Sequence, residues 1–287
     1  MSRITLVTGG AGFIGSNLIE QMVKDPQNKV YSLDNYSTGK KENHIKGAMY
    51  IEGETGEIAK LVEVKPDVVF HLGEYARVEK SFEDMPRVWK SNKDGTFAVL
   101  EFCRARGAKL VYAGSSTKFG DGGLGRDQSP YAWSKASNTE LVKNYGVWFG
   151  LNYAITYFYN VYGPRELSGA YGTVIEIFRQ CVLRGGTLKV VSPGTQKRLF
   201  TNVSDIVRGL LLVGEKGSGD GYGLGAEEEY SILEIAKMFG EKIEMSPFRA
   251  GNRMTSSIDF SRSRDELGWK AEKSIKNYIK EFLSSCV

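Results

Sequence analysis

Residues 4–15 read ITLVTGGAGFIG, and this stretch decides the fold prediction. Ile4 to Thr8 is an apolar, β-branched run typical of a buried strand, and the apolar spacing that follows predicts a helix over about 13–24. The turn between them carries three glycines with the spacing GxxGxxG: Gly9, Gly12 and Gly15. Glycines there allow a tight turn and let backbone N–H groups approach a pyrophosphate at the positive end of the helix. The stretch therefore predicts a strand–loop–helix unit that binds a dinucleotide.

Asp34 is the residue expected to select the dinucleotide. It ends the second predicted strand, Val30 to Leu33, and follows Gly15 by 19 residues. A carboxylate at this place can accept both hydroxyls of an adenosine ribose and would repel a 2′-phosphate. An aspartate after a strand can also be a simple turn residue. The offset from the glycine loop favours the binding role, so the sequence predicts NAD rather than NADP.

Strand and helix patterns alternate along the rest of the first half. The predicted strands are 49–51, 68–71, 110–113 and 154–159, and the predicted helices are 58–64, 86–106 and 131–148. Repeated βα units favour the α/β class, here a Rossmann-type, doubly wound parallel sheet with helices on both faces. We expect this dinucleotide-binding domain to span 1–160, together with about 199–215.

After Pro164 the pattern changes. Helices are predicted at 173–184, 204–213, 232–239 and 275–282, and the glycine-rich segment 214–225 is predicted to be a surface loop. We expect residues 161–287 to form a smaller C-terminal α/β domain that packs on the sheet and binds substrate.

Composition excludes several classes of protein. The chain has 287 residues, and its 38 Lys and Arg against 34 Asp and Glu give a net charge of +4 without a basic block, which argues against a nucleic-acid partner. Three widely spaced cysteines without a CxxC pair argue against a metal centre and indicate a reducing compartment. His44 and His71 are interpreted as structural residues. No apolar stretch is long enough for a membrane span, so we expect a cytoplasmic protein that binds no membrane and no metal.

A YxxxK pattern supplies candidate chemistry. Tyr131 and Lys135 are four residues apart on one predicted helix, so they share a face, and the strand before them ends in Ser115 and Ser116. A tyrosine is a poor base at its ordinary pKa near ~10. A nearby ammonium favours the phenolate, which makes Tyr131 a candidate general base.

Further blocks extend these motifs over essentially the whole chain. In order they are TGGAGFIGSNL, DNYSTG, VVFHLGE, NKDGT, VYAGSSTKFGD, YAWSK, NVYGPRE and DFSRSRDELGW. With them the sequence resembles the extended short-chain dehydrogenases/reductases, the nucleotide-sugar epimerases and dehydratases. The resemblance implies a Rossmann domain with NAD and a catalytic triad of Ser115, Tyr131 and Lys135. It also implies a smaller domain, 161–287, that binds a nucleotide sugar.

The resemblance also assigns the two binding sites. The implied NAD contacts are Gly9, Gly12, Phe13, Ile14, Gly15, Asp34, Asn35, Ser37, Thr38, Gly39, Glu54, Thr55, Leu72, Gly73, Asn92, Ala113, Tyr131, Lys135 and Phe158. The implied substrate contacts are Ser115, Ser116, Tyr131, Asn160, Thr173, Lys189, Val191, Arg198 and Arg249. Within the substrate set, Asn160 and Arg198 would contact the diphosphate.

The residues after Ser115 favour one reaction within the family. Family dehydratases carry an Asp-Glu pair there, and some decarboxylases carry a Glu, whereas this chain has Ser116 and Thr117. A hydroxyl is not an acid or base near neutral pH, so the pattern resembles the 4-epimerases. The implied reaction inverts a sugar carbon, C4, through a transient keto sugar with NAD regenerated. The alternatives are a nucleotide-sugar dehydrogenase or reductase, and a non-catalytic NAD-binding sensor.

Several positions depart from the family pattern. Glu54 stands where an aspartate usually meets the adenine, Phe119 replaces the tyrosine of a YGD turn, and Gly73-Glu74 replaces the common Ala-Ala after His-Leu. Val191 stands where 4-epimerases often have an aromatic residue against uracil, which leaves the base open. Only 15 residues separate Ser115 from Tyr131.

Two further expectations concern assembly and specificity. The resemblance implies a homodimer in which the helices at 86–106 and 131–148 pair with their copies, and the spacing of Leu141, Val142, Tyr145 and Trp148 gives a stripe that can pack against another helix. The block Arg249-Ala-Gly-Asn252 places a small residue, Ser256, where a large tyrosine would exclude sugars with a C2 N-acetyl group. We therefore expect the pocket to accept such sugars.

Overall fold

The computed structural model describes residues 3–247 and 259–286. Its strands, numbered along the chain, are β1 (Arg3–Thr8), β2 (Asn28–Asp34), β3 (Ala48–Glu52), β4 (Val68–His71), β5 (Lys109–Ser115), β6 (Tyr153–Phe158), β7 (Val161–Tyr162), β8 (Leu188–Val191), β9 (Lys197–Leu199), β10 (Thr201–Asn202), β11 (Gly219–Leu224), β12 (Glu229–Ser231) and β13 (Ile243–Ser246). Its α-helices are α1 (Phe13–Met22), α2 (Ile58–Leu61), α3 (Met85–Val88), α4 (Gly95–Arg106), α5 (Pro130–Phe149), α6 (Val174–Leu183), α7 (Val203–Lys216), α8 (Ile232–Phe239), α9 (Ser261–Leu267) and α10 (Ile275–Ser284). Among these helices, none combines the length and the apolar composition that crossing a membrane requires.

Seven strands form one parallel sheet in the order β3-β2-β1-β4-β5-β6-β11. Thr8 pairs with Leu33 on one side and with His71 on the other. The chain order reverses at this point, and ligands of doubly wound sheets bind in the crevice beyond the strand ends there. The predicted Rossmann-type fold is confirmed.

Helices cover both faces of this sheet. On one face α1 and α7 enclose a core that contains Val7, Leu18 and Leu210. On the other face α2, α4 and α5 enclose a second core, with Val99 and Val142. All five side chains are fully buried, as expected for strands that are apolar on both faces.

The C-terminal part adds three two-stranded sheets and a third core. The pairs are β7–β10 and β8–β13, both parallel, and β9–β12, antiparallel. Helices α6, α8 and α10 contribute Phe178, Phe239 and Phe282, whose rings pack in sequence at centroid distances of 5.8 and 6.1 Å. This part therefore has its own apolar centre, beside the central sheet.

The prediction of a surface loop at 214–225 is wrong. The segment contains β11, which pairs in parallel with β6 at the edge of the central sheet, and Tyr222 and Leu224 are fully buried. Gly219 and Gly221 have φ of 77° and 111° and lie against the Arg262 side chain, which donates a hydrogen bond of 2.6 Å to the Ser218 carbonyl. The glycines allow the positive φ angles and the close contact with Arg262. Composition alone does not distinguish such a strand from a glycine-rich loop.

The prediction that one stripe of α5 packs against a second copy of the chain is wrong in part. Val142 and Tyr145 are buried in the protein's own core beneath this helix, whereas Trp148 is 59% exposed. The 3–4 spacing predicts an apolar face but does not say which neighbour covers it. Here the central sheet covers most of that stripe.

The other predicted helix, 86–106, is continuous but not uniform. Its helical turns begin in α3, continue through a π-helical segment, Trp89–Asp94, and end in α4. Asn92, in the π-helical segment, is fully buried. Such π turns are often found where a helix presents side chains to a functional site.

Candidate active site

The glycine loop forms a cradle that side chains would fill. Gly9 has φ of 73°, and a Cβ there would lie 2.8 Å from the Gly73 Cα. A Cβ at Gly15 would lie 2.1 Å from the Gly9 carbonyl oxygen. Helix α1 begins after Gly12, and none of the side chains that the structure describes caps its first turn. The first N–H groups are therefore open toward the crevice and fit a pyrophosphate.

Asp34 lies at the carboxyl end of β2, beside this cradle, and is 6% exposed. Its Oδ2 accepts a hydrogen bond from the Ala11 N–H at 2.9 Å, and its Oδ1 accepts one from the Tyr36 N–H at 2.8 Å. Burial raises the pKa of this carboxyl, against the effect of those two hydrogen bonds. A carboxylate has about four acceptor positions, so two remain for ribose hydroxyls. The cradle and Asp34 together fit the adenosine diphosphate part of NAD.

Other predicted NAD contacts surround the same crevice. Asn35 donates to Glu54 at 3.0 Å, so the longer carboxylate of Glu54 is held beside the adenosine side of the site. Gly39 lies against Asp34, since a Cβ there would be 2.8 Å from Oδ1. The Gly73 N–H donates a hydrogen bond to the Thr8 hydroxyl oxygen at 3.0 Å, which joins the segment after β4 to the start of the glycine loop.

Two predicted NAD contacts act from behind the crevice. Asn92 is fully buried, and its amide bonds to Ser134 at 3.0 Å and to both backbone groups of Tyr75. Thr55 is 8% exposed and packs against Gly95, where a Cβ would lie 2.3 Å from its hydroxyl. These side chains hold the walls of the site in place.

Two of the predicted triad residues, Ser115 and Tyr131, come together at the end of β5. Helix α5 begins at Pro130, and the Ser129 hydroxyl caps it by accepting from the Ala132 N–H at 3.1 Å. This start places the Tyr131 hydroxyl 3.3 Å from Ser115 Oγ, to which it donates. The Ser115 and Thr117 hydroxyls are 2.9 Å apart. Lys135 lies one turn further along α5 and is buried.

The partner of Lys135 is a residue that none of the sequence motifs marks for a role in the site. Its ammonium donates to Glu74 Oε2 and to the Ala113 carbonyl, above the Tyr112 ring. The Glu74 side chain is 4% exposed. The signal in the sequence was the Gly-Glu pair that follows the β4 strand, which was noted only as a departure.

Predicted substrate residues lie on several elements beyond this triad. Ser116 is 7% exposed directly after β5, and Asn160 is exposed between β6 and β7. Lys189 and Val191 alternate with buried residues along β8, and Arg198 lies on β9 opposite Tyr230. Arg249, Asn252 and Ser256 lie outside the described residues, as does the predicted open wall for a C2 group.

The substrate side also contains buried polar atoms without a hydrogen-bond partner among the described residues. They include Glu166 Oε1, Thr173 Oγ1 and Gln196 Oε1. Burial raises the pKa of Glu166 to about 8, although the Gly163 N–H donates to its other oxygen at 3.2 Å. Of these three, only Thr173 was predicted as a substrate contact.

Comparison with known proteins identifies the family that this chain resembles. A family model, described as the NAD dependent epimerase/dehydratase family, matches residues 5–225. A UDP-N-acetyl-alpha-D-glucosaminuronate decarboxylase of Bacillus cytotoxicus is 33% identical over 83% of this chain and 79% of its own. A UDP-glucose 4-epimerase of Mycolicibacterium smegmatis is 30% identical over 96% of each chain. The crystal structure of Thermus thermophilus UDP-glucose 4-epimerase in complex with NAD matches with a TM-score of 0.88 and 27% identity, over 99% of this chain and 98% of that one.

Proposed function

Because this chain belongs to the NAD-dependent epimerase/dehydratase family, as its sequence blocks predict, we propose that it is a nucleotide-sugar 4-epimerase. One observation carries the choice of reaction. Around the Tyr131 hydroxyl, the strand end offers the hydroxyls of Ser115 and Thr117, and no carboxylate occupies positions 116 or 117. Loss of water or carbon dioxide needs a proton carrier that a hydroxyl does not provide near neutral pH.

NAD is the cofactor, held by the glycine cradle and Asp34 with Asn35, Ser37, Thr38 and Gly39 beside it. When bound, this cofactor would supply reversible hydride transfer at the sugar carbon. Tyr131 takes the proton from the C4 hydroxyl as the hydride leaves. Ser115, already hydrogen-bonded to Tyr131, holds the same sugar oxygen. Lys135, one turn behind, supplies the positive charge beside the phenol.

The second half of the reaction needs the keto sugar to present its other face. The nucleotide diphosphate stays anchored in the smaller part of the protein, with Asn160, Thr173 and Arg198 as the proposed contacts. The freed sugar turns about the diphosphate linkage, receives the hydride on the opposite face, and regains the proton from Tyr131. The residues 161–287 therefore act as the substrate domain and residues 1–160, with about 199–215, as the cofactor domain.

A product assay tests this function. UDP-glucose, UDP-glucuronic acid and UDP-N-acetylglucosamine are incubated separately with the protein and NAD, and products are identified by NMR. We expect interconversion of C4 epimers with no change in absorbance at the NADH wavelength after the first turnover. A stoichiometric rise in NADH would instead identify a dehydrogenase, and release of carbon dioxide a decarboxylase.

We also propose that the enzyme is a homodimer and works in the cytoplasm. All three cysteines are unpaired, as in a reducing compartment. Trp89 and Trp133 stack at 6.0 Å on the outer surface, where they are 44% and 38% exposed, and Phe97 on α4 is 55% exposed. Exposed apolar clusters of this kind mark interaction surfaces, and a second copy presents the same face.

Light scattering at micromolar concentration tests the assembly. We expect a dimer mass for the wild type and a shift toward the monomer for Phe97→Glu. Leu183→Glu, at a 56% exposed position on α6, is the matched control and should leave the mass unchanged. A monomeric wild type would contradict the proposal.

A further inference from the structure

Glu74 is a buried carboxylate in direct contact with the catalytic machinery. It follows β4, and its side chain has 4% exposure, nearly the same as the 5% of the Lys135 side chain with which it pairs. The two residues are 61 positions apart in the sequence. A buried ion pair of this kind needs further hydrogen bonds to offset the loss of hydration.

Those hydrogen bonds come from three different elements. Glu74 Oε1 accepts from Thr96 on α4 at 2.8 Å, from Asn138 on α5 at 3.0 Å and from the Tyr112 hydroxyl on β5 at 3.2 Å. This leaves Oε2 to Lys135. The carboxylate is therefore fixed in one orientation, and Lys135 is fixed with it.

The charges around this pair do not replace Glu74. His71 lies nearby on β4, but burial lowers its pKa to about 4, so it is neutral at pH 7. Lys93 also faces the carboxylate, and its ammonium bonds to Asn138 at 2.7 Å. On the phenol side, the Arg77 guanidinium faces Tyr131 and is unchanged in every variant below. Burial by itself raises the pKa of Glu74, but the surrounding charges and hydrogen bonds, those of Lys135 foremost, together hold the net pKa below its ordinary value. Glu74 is therefore the negative charge that balances Lys135.

We propose that Glu74 is a positioning residue that holds the Lys135 ammonium and sets the pH at which the Tyr131–Lys135 pair loses its first proton. The proposal rests on the role of Tyr131 as the base in the proposed function. Without Glu74, the full positive charge of Lys135 would face the phenol. With Glu74, the ion pair has no net charge and its field at Tyr131 is much weaker. The carboxylate thereby raises the pH needed for the active, deprotonated pair, while it keeps the buried lysine charged and in place.

The sign of the effect does not depend on which member of the pair gives up the proton. Removing one negative charge beside Tyr131 and Lys135 lowers the first titration in either case. For a unit charge within ~10 Å, at an effective dielectric of about 20, the shift is about one pH unit.

The test is a charge cycle on the ligand-free protein. The phenolate absorbance of Tyr131 is followed against pH, with Tyr131→Phe in the same background as the blank. We expect Glu74→Gln to lower the midpoint by about one unit and Lys135→Met to raise it. The double variant, which again has no net charge, should lie near the wild type. If Glu74→Gln alone does not fold, Glu74→Ala, the residue common at this position in the family, removes the same charge and must lower the midpoint.

Two controls separate charge from structure. Glu101→Gln makes the same change in a more exposed ion pair on α4, with Arg104, and should leave the midpoint unchanged. Thr96→Val removes a hydrogen bond to Glu74 but leaves its charge, and should also leave the midpoint in place. A Glu74→Gln midpoint within about 0.3 units of the wild type, or one that rises, would overturn the proposal.

Turnover gives an independent readout. If the protein epimerises a nucleotide sugar, the acidic limb of its kcat/KM profile should move to lower pH by the same amount in Glu74→Gln. A shifted phenol titration with no epimerase turnover would overturn the proposed function and leave Glu74 as the residue that sets the titration. Normal turnover with an unshifted titration would overturn the role proposed for Glu74 and leave the proposed function standing.

Discussion

The cofactor side and the substrate side of the crevice are built in different ways. On the cofactor side, Gly9 and Gly15 lie so close to neighbouring backbone that a Cβ has no room, and both oxygens of Asp34 already accept backbone N–H groups. On the proposed substrate side, Glu166, Thr173 and Gln196 each have a buried oxygen without a partner among the described residues, against one such oxygen, Ser32 Oγ, behind Gly10 on the cofactor side. The first site is shaped by the backbone before any ligand arrives. The second leaves polar groups for a ligand to satisfy.

This difference indicates which parts of the protein recognise each ligand. A pyrophosphate is common to all dinucleotides, so a fixed loop and a helix end suffice to bind it. A sugar is recognised by the positions of its hydroxyls, which requires side chains from several segments. Changes on the cofactor side should therefore act on cofactor binding without altering the proton-transfer groups, and changes at the triad should do the opposite.

Tyr131→Phe gives the largest expected effect and tests that separation. The variant loses the proton-transferring hydroxyl but no part of the cradle, so turnover should fall by at least about 10³-fold while NAD binding is unchanged. Steady-state kinetics and NAD titration measure the two quantities. Tyr145→Phe removes a phenol hydroxyl from the same helix, where it bonds Glu101 at 2.8 Å, and should keep activity. Retained turnover in Tyr131→Phe would exclude it as the base.

Gly15→Ala addresses the cradle. The added methyl group would lie 2.1 Å from the Gly9 carbonyl oxygen, so the loop must shift and NAD affinity should fall by about 100-fold or more. Gly56→Ala is the matched control, because nothing lies within 4 Å of a Cβ there. Calorimetry on the folded variants gives the dissociation constants. Equal affinities for the two variants would show that the steric closure does not govern binding.

The choice between NAD and NADP tests Asp34. Its buried carboxylate should repel a 2′-phosphate, so NAD should bind at least about tenfold more tightly. Two titrations under the same salt conditions give the comparison. Tighter or equal binding of NADP would contradict the assignment of Asp34 to the ribose.

Glu166 tests the substrate side through stability rather than through activity or affinity. Burial raises the pKa of this carboxyl from 4.5 to about 8, so between these values the folded protein keeps a proton that the unfolded chain releases. Stability from this residue is therefore present at low pH and is lost as pH rises toward 8. We expect a loss on the order of 2 kcal/mol in the free energy of unfolding between pH 5 and 8.

Urea denaturation of Glu166→Gln measures that contribution. The uncharged variant should lack this part of the pH dependence. Glu63→Gln, at an exposed position, is the control and should follow the wild type. Parallel pH curves for wild type and Glu166→Gln would show that the Glu166 carboxyl is not held protonated in the fold.

Local sequence was sufficient to place the glycine loop beside Asp34 and Tyr131 beside Ser115. The glycine spacing, the strand before it and Asp34 after the next strand are contiguous signals of backbone geometry, and the structure places them around one crevice. Tyr131 and Lys135 share a helix face by spacing alone, and Ser115 precedes them at a strand end. The parallel sheet follows from the repeated βα pattern, which has few alternative arrangements.

Tertiary structure decided what depends on distant neighbours. It made 219–224 an edge strand, β11, which pairs with β6 and whose glycines lie against Arg262, far along the chain. It buried Val142 and Tyr145 in the protein's own core, where helix periodicity left the covering surface open. It also joined Glu74 to Lys135 across 61 residues. Sequence spacing fixes which residues share one element, but the energy of a buried charge depends on which other elements fold against it, and only the packed structure determines that.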